Sequence, residues 1–587
     1  MSSRARLLGA FLVVMAAAPA VLADFHVTLL NYVGLATLVV LGLVLLTGVA
    51  GIVSFGQQAF VGISAYVTAL ATTAWGISPW VTLVACLAVT ALVALLLGAV
   101  TLRLSGHYLS ITTIAWGIAI YYLFGTLPML GQYSGLDNVP PVTLFGFAFD
   151  TGRRSYYLIW IITAAALVAA QNLLDSRPGR AIRALRFRSV MAESVGVDTA
   201  SLKLVVFLYA ALLAGLSGWL YAHFLRFVSP QAFGVNAGID YLFMAVIGGA
   251  SQVWGALIGA SVLTLLKEWL KDILPALFHQ TGNFEIVVFG VLMLLLLHRT
   301  RDGIAPAIAR LLPAGPARAR PPEAEPLSRR AQPARGTPLL EVRGVCRRFG
   351  GLVAVDRLSF AIDSGEILGL IGPNGAGKTT MFNLITGVLS ADDGQIRFLG
   401  ERIERLPQRR IARLGLARTF QHVNLVTGMS VLENVALGAH LRAGRGTLAA
   451  MLRSERGDER RLLAEAARQL DRVGLGEHLF EAAGSLPLGQ QRIVEIARAL
   501  AADPVLLLLD EPAAGLRYGE KQALAALLRK LRDEGMSILL VEHDMEFVMG
   551  LVDRLVVMDF GQKLAEGLPA QIQTDPAVLE AYLGGIE

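Results

Sequence analysis

The chain has 587 residues, too many for one hydrophobic core, and its charges are unevenly divided: residues 1–302 carry 16 of the 51 Lys/Arg and 11 of the 45 Asp/Glu. The net charge of +6 is spread over loops rather than gathered into a basic stripe with interleaved aromatics, which argues against nucleic acid as a partner. Two cysteines far apart, Cys86 and Cys346, leave no disulfide framework or cysteine metal site.

Residues 1–27 open with Arg4 and Arg6 and continue through an apolar run from Leu7 to Leu22. This pattern fits a cleaved signal peptide or an uncleaved first helix; the second is preferred because further spans follow at once. Apolar stretches recur near 28–49, 57–74, 81–101, 108–127, 156–171, 203–224 and 284–298, most close to the ~20 residues that cross a bilayer. The segment from Asn172 to Lys203 holds Arg177, Arg180, Arg183, Arg186 and Arg188 with few acids, so the positive-inside rule places it in the cytoplasm. Counting spans outward from it puts 128–155 outside, Arg103 inside and the N-terminus inside.

Counting forward, 225–237 and 268–283 fall outside, and the last span ends inside at Arg299 and Arg301. The stretch from Asp240 to Leu266 must then cross an even number of times, is short for two spans, and is interrupted by Gly248 to Gly255. A broken or re-entrant pair is expected there, with a similar break from Gly48 to Gly56. Such breaks near the midplane are places where transporters hold substrate; the competing reading is close helix packing through small residues.

Residues 303–337, with seven prolines and scattered Arg and Ala, read as an extended linker. From Pro338 onward short β-rich runs alternate with helical patterns, as in a phosphate-loop α/β domain. Leu339–Val345 and Val353–Ile362 are the opening strands. An apolar run, Ile367 to Ile371, then enters Gly372, Pro373, Asn374, Gly375, Ala376, Gly377, Lys378, Thr379 and Thr380, with a helix expected through Leu389. Glycines let backbone N–H groups ring an anion, Lys378 reaches the outer phosphates, and the Thr379 hydroxyl suits Mg²⁺. A nucleoside triphosphate is therefore the expected ligand. Further on, the aliphatic strand Val505 to Leu509 delivers Asp510 and Glu511 at its C-terminal end; Asp510 suits Mg²⁺ and Glu511 suits polarising an attacking water.

With these motifs in hand, residues 338–587 resemble the nucleotide-binding domain of ABC transporters. Ala417-Arg418-Thr419-Phe420-Gln421 resembles the Q-loop, Leu486 to Gln491 occupies the place of the signature motif, and Ile538 to Asp544 resembles the strand leading to a switch histidine, His543. The resemblance implies that Phe349 stacks on adenine, that Gln421 senses γ-phosphate and metal, and that Gly489 and Gln490 face a nucleotide held by a partner domain. Two departures stand out: Pro487 and Leu488 occupy the signature's serine and glycine positions, and Arg517 stands where many relatives have Asp. Both point to two unequal composite ATP sites.

The Arg418–Gln421 wording, Ala513 to Leu516, and Asp575 to Gly585 resemble the ATPase subunits of branched-chain amino-acid importers. Gly51 to Gly56 with Phe60, Gly62, Ala65 and Tyr66 resembles the companion permease, although Ser64 stands where glycine is expected. Ala192 to Gly196 resembles the permease loop that docks on the ATPase.

The expectation is a fusion: a multispanning α-helical permease (1–302), a linker (303–337) and an ABC ATPase (338–587). It implies ATP-driven, Mg²⁺-dependent import of a small solute, a branched-chain or other hydrophobic amino acid, delivered by an extracytoplasmic binding protein. The setting would be a bacterial inner membrane, with the ATPase cytoplasmic. A second permease and a second ATPase, or a second copy of this chain, would complete the assembly; non-identical partners are favoured. Alternatives are an exporter half-transporter and an ATP-gated channel or nucleotide sensor that does not pump.

Overall fold

The computed structural model describes residues 15–104, 106–278, 303–311 and 319–583, with isolated positions besides. They form two compact units, one from Met1–Asp175 and Ala200–Ala317, the other from Ser176–Thr199 and Arg318–Glu587.

The first unit is helical. Its elements are α1 (Asp24–Leu43, continued by a π-helical turn, Val44–Val49), α2 (Gln57–Thr73), α3 (Pro79–Thr101), α4 (His107–Thr126) and α5 (Gly152–Leu174). The ribbon β1 (Thr143–Leu144) and β2 (Phe147–Ala148) precedes α5. The chain next passes through α6 (Arg177–Leu185) and α7 (Ser189–Ser194), which belong to the other unit. It returns in α8 (Thr199–Leu225), α9 (Val235–Gly248), α10 (Val253–Phe278) and α11 (Ile304–Leu311).

Among the described residues, six helices are long and apolar enough to cross a membrane. The protein is a multispanning membrane protein. Helix α1 is apolar all round, and every residue from Val33 to Leu43 is buried, which makes it the centre of the unit. Helices α3 and α4 leave most of their apolar surface exposed, as lipid-facing helices do. Most of the last expected span, near 284–298, and the basic residues Arg4, Arg6, Arg299 and Arg301 lie outside the described residues.

Both glycine-rich breaks are present, and they pack on each other. Helix α1 and its π turn cover 24–49, about 39 Å of helix, more than the thickness of a bilayer core, before the first break. The second break, between α9 and α10, packs directly on the first: a Cβ on Gly48 would lie 1.4 Å from the Ala250 carbonyl oxygen. The glycines serve backbone-to-backbone packing of two turns. The stretch read as too short for two spans is also longer than its hydropathy suggested. Helix α10 continues to Phe278, through the charged residues Lys267, Glu268 and Lys271 that marked a boundary in sequence. In the presumed linker, α11 forms although it contains Pro306, because that proline sits in the first turn, where its missing N–H has no helical partner to lose.

The second unit carries two sheets. An antiparallel sheet has the order β4-β3-β6-β7, from β3 (Pro338–Phe349), β4 (Leu352–Asp363), β6 (Asp393–Phe398) and β7 (Glu401–Arg402). The other has the order β12-β11-β5-β10-β9-β8, from β5 (Ile367–Ile371), β8 (Leu416–Arg418), β9 (Leu506–Asp510), β10 (Ser537–Val541), β11 (Arg554–Asp559) and β12 (Gln562–Gly567). The pairs among β5, β8, β9, β10 and β11 are parallel, and β12 closes the edge antiparallel. Strands β5, β9 and β10 are buried at every residue, which is why they read as unbroken aliphatic runs. Register sets Val541 opposite both Leu370 and Asp510, so three strand ends, and the loops after them, lie level.

Candidate active site

The loop after β5 opens helix α12 (Lys378–Ile385), four residues shorter than expected because the chain turns through Gly387 at φ +72°. Gly372 has φ +151° and Gly377 φ +96°, and a Cβ on either would lie within 2.3 Å of a backbone carbonyl oxygen, of Met558 and Ala354 respectively. No other residue type fits these positions without shifting the backbone. The Lys378 ammonium donates to the carbonyl oxygens of Gly372 (2.7 Å) and Pro373 (2.8 Å). Burial lowers its pKa, while Glu511 and Asp510 oppose that shift, so both carboxylates act on it electrostatically.

Asp510 ends β9 and is 3% exposed. Burial pushes its pKa up to about 6; Arg418 acts the other way, and neighbouring Glu511 adds to the rise. Its Oδ1 is buried without a hydrogen-bond partner. An orphaned carboxylate oxygen, with the Thr379 hydroxyl and the Gln421 amide oxygen as further hard donors, fits a Mg²⁺ ion.

Glu511 follows in a left-handed conformation, φ +47°, with its N–H bonded to Val541 O at 2.8 Å. This strained geometry turns the side chain out of the strand line. Its Oε1 lies 2.8 Å from His543 Nε2, and its Oε2 accepts from Gln421 Nε2 at 3.1 Å. The three residues expected to act on the terminal phosphate are thus gathered on one carboxylate.

Several supports were not singled out in sequence. Glu542, 2% exposed, accepts from the N–H groups of Ala513 (2.6 Å) and His543 (2.9 Å), tying the loop after β9 to the one after β10. Arg418 donates to Asn383 Oδ1 (3.1 Å) and Thr386 Oγ1 (2.8 Å) and stacks between Phe382 and Phe420; burial lowers its pKa to about 10. Arg492, in the helix Leu488–Ala501, donates to the carbonyls of Phe420 (3.3 Å) and Gln421 (2.8 Å). Each lies inside a motif already quoted or one residue past it, but only a fold could show which of its residues hold the others.

Helix α13 (Gln408–Leu414), α14 (Val431–Gly438) and α15 (Arg456–Arg472) lie between β7 and the signature helix α16 (Leu488–Ala501), and α17 (Tyr518–Asp533) follows β9. Pro487 caps α16, so Gly489 and Gln490 stand in its first turn. Gly489 faces the Glu520 carboxylate of α17: a Cβ there would lie 2.6 Å from Glu520 Oε1. Phe349, at the end of β3, is 43% exposed, with the Arg347 guanidinium 5.0 Å from its ring centre.

The segment Ser176–Thr199 is packed into this unit. Arg180, buried, makes two hydrogen bonds to the Glu459 carboxylate of α15, and Arg183 lies 3.1 Å from Glu433 of α14. Arg177 donates to the carbonyls of His440 and Arg445, both at 2.7 Å, and Asp198 pairs with Arg409 of α13 at 2.7 Å. Met191, Ala192 and Val197 are buried, and a Cβ on Gly196 would meet Leu441 at 2.4 Å. Burial, and then Arg177 and Arg180, push the pKa of His440 down to about 3.

Family comparisons agree with both halves. Residues 25–297 match the permease component of the branched-chain amino acid transport system, 355–514 the ABC transporter domain, and 562–587 the branched-chain amino acid ATP-binding cassette transporter. Over 250 residues the chain is 45% identical to the high-affinity branched-chain amino acid transport ATP-binding protein BraF of Pseudomonas aeruginosa, covering 42% of this chain and 98% of that one. The chain belongs to the branched-chain amino acid ABC transporter family. LivG of Escherichia coli K12, also a high-affinity branched-chain amino acid transport ATP-binding protein, is 45% identical over 250 residues at the same coverage. A probable LivG of Archaeoglobus fulgidus is 35% identical over 251 residues, 42% of this chain and 95% of that one. This transporter therefore fuses permease and ATPase on one chain, binds ATP, and couples ATP hydrolysis to transport across a membrane.

Proposed function

We propose that the chain is the permease-ATPase half of an importer for branched-chain or other hydrophobic amino acids, fed by an extracytoplasmic binding protein in a bacterial inner membrane. Lys378 and the backbone of Gly372 to Gly377 hold the phosphates. Thr379, Asp510 and Gln421 would hold Mg²⁺, which when bound would neutralise charge on the phosphate oxygens. Glu511 orients the attacking water and accepts its proton, and His543 holds the Glu511 carboxylate and the γ-phosphate side of the site. A second permease and ATPase complete the assembly, because Gly489 and Gln490 serve a nucleotide on the partner domain; Pro487 and Leu488 make the two sites unequal.

The observation that carries this reading is the physical connection from Glu511 to the segment Ser176–Thr199. Gln421, bonded to Glu511, begins a loop whose Val426 N–H donates to Asn434 Oδ1 of α14 at 2.8 Å. One position earlier on α14 is Glu433, the partner of Arg183. Movement of Gln421 on hydrolysis is thereby delivered to the docked segment.

The test is Gly196→Trp in the reconstituted complex. The indole would have to displace Leu441 at a position already held at φ +85°, so import of leucine should be lost while ATP turnover stops responding to loaded binding protein. Normal import with normal stimulation, at matched protein level, overturns the coupling role.

A further inference from the structure

The glycine breaks prove to be packed turns, and neither carries a charged group that would select an α-amino acid. A different place in that unit meets the requirement. A cavity of about 440 Å³, within the size range of small-ligand sites, lies between the first turns of α1, the last turns of α8, α9 and the middle of α10. Four charged side chains line it, two of each sign: Asp240, Lys267, Glu268 and Lys271. They are paired as Lys267 with Asp240 (2.5 Å) and Lys271 with Glu268 (3.1 Å). Aromatic and apolar groups, among them Tyr32, Tyr221 and Phe233, form the rest of the wall.

Lys267 lies about 21 Å along α10 from Val253, within the thickness of a bilayer core, where an ionised side chain costs roughly 2.5–3.5 kcal/mol on an insertion scale. Charges there persist when they face a cavity with a task to perform. None of the four is more than about half exposed, and all four contribute to one cavity. A structural tie between α9 and α10 would need one pair and no cavity. Two balanced pairs beside an apolar wall match a zwitterion that carries a hydrocarbon side chain. By the charge asymmetry of the loops, the α8–α9 connection and the start of α1 are extracytoplasmic, so the cavity opens where solute arrives.

We propose that this cavity is the solute site of the permease: the carboxylate of an α-amino acid pairs with Lys267 and Lys271, its ammonium with Asp240 and Glu268, and its side chain lies against Tyr32, Tyr221 and Phe233. The proposal rests on the importer reading and adds the groups that select the solute.

The test uses the full transporter complex in nanodiscs, in a Cys86→Ala/Cys346→Ala background with Ala237→Cys as a reporter on the cavity wall and Thr264→Cys as a second reporter should the first fail to assemble. Labelling by a charged maleimide is timed with and without millimolar leucine, isocaproate, leucinamide or urea, and import of radiolabelled leucine is measured in proteoliposomes of the same complex. Leucine should slow labelling by about tenfold or more, the analogues lacking either charge should not, and Lys267→Met should abolish the protection. Labelling unaffected by leucine in a complex that imports leucine overturns the cavity and leaves the importer reading standing. Protection by urea or leucinamide equal to that by leucine overturns the zwitterion. A parent complex that imports no α-amino acid overturns both.

Discussion

His543 Nε2 and Glu511 Oε1 are 2.8 Å apart, although the strands that deliver them are separated by a helix and a turn in sequence. With Gln421 on the other carboxylate oxygen, Glu511 is held from both sides, and its two neighbours report on the same atom group.

Glu511→Gln should retain nucleotide binding, since the phosphate loop is untouched, and lower ATP turnover by about 10²–10⁴-fold, the usual contribution of a positioned general base. Binding by a fluorescent nucleotide and turnover measured on one preparation check this. Unchanged turnover would remove Glu511 from the chemistry.

The buried Arg180 and Glu459 pair predicts an asymmetric set of variants. Arg180→Glu places two carboxylates together in a site nearly closed to solvent, and should abolish stimulation of ATP turnover by loaded binding protein. Adding Glu459→Arg restores opposite charges and should recover part of that stimulation. A double variant no better than Arg180→Glu would show that the pair does not transmit the signal.

Asp510 sets a pH dependence. Its folded pKa, about 6, is raised above the ordinary carboxylate value, so its contribution to stability is fully present below that ordinary value and is lost as pH rises through 6. Asp510→Asn should therefore raise the melting temperature of the nucleotide-free protein more at pH 8 than at pH 5. In the native protein, Mg²⁺-dependent nucleotide affinity should strengthen from pH 5 to 7 as the carboxylate ionises, and the variant should lose that rise. Calorimetric melting and nucleotide titration across this range decide it.

Topology is tested by single cysteines in a Cys86→Ala/Cys346→Ala background. Asn138→Cys, in the loop before β1, should react with an impermeant maleimide added outside sealed cells, and Ser189→Cys, the first residue of α7, should not. Ready labelling at Ser189 would invert the arrangement.

The phosphate loop, Asp510, Glu511 and His543 could be read from sequence because each motif is local: a buried strand followed by the residues it delivers. What joins them was not readable. Arg177, Arg180 and Arg183 looked like topology-setting charges, and their partners lie 250 or more positions away on α14, on α15 and in the chain between them. Hydropathy likewise ended a span before Lys267, since a window average cannot tell charges that face a cavity from charges that face water. Gly48 and Ala250 were both in stretches read as breaks, yet only the packed helices show that one break fills the other.

The segment Ser176–Thr199 has a further consequence. Its docking partner is part of the same polypeptide, so the two never have to find each other by diffusion. A covalent connection holds partners at an effective concentration that can reach order millimolar, where about 4 kcal/mol of binding free energy already keeps them half associated. An interface relieved of assembling the complex is free to be polar. Its arginines can be spent on acidic side chains and backbone carbonyls that hold the segment in register, with the buried Arg180 and Glu459 pair as the fixed point.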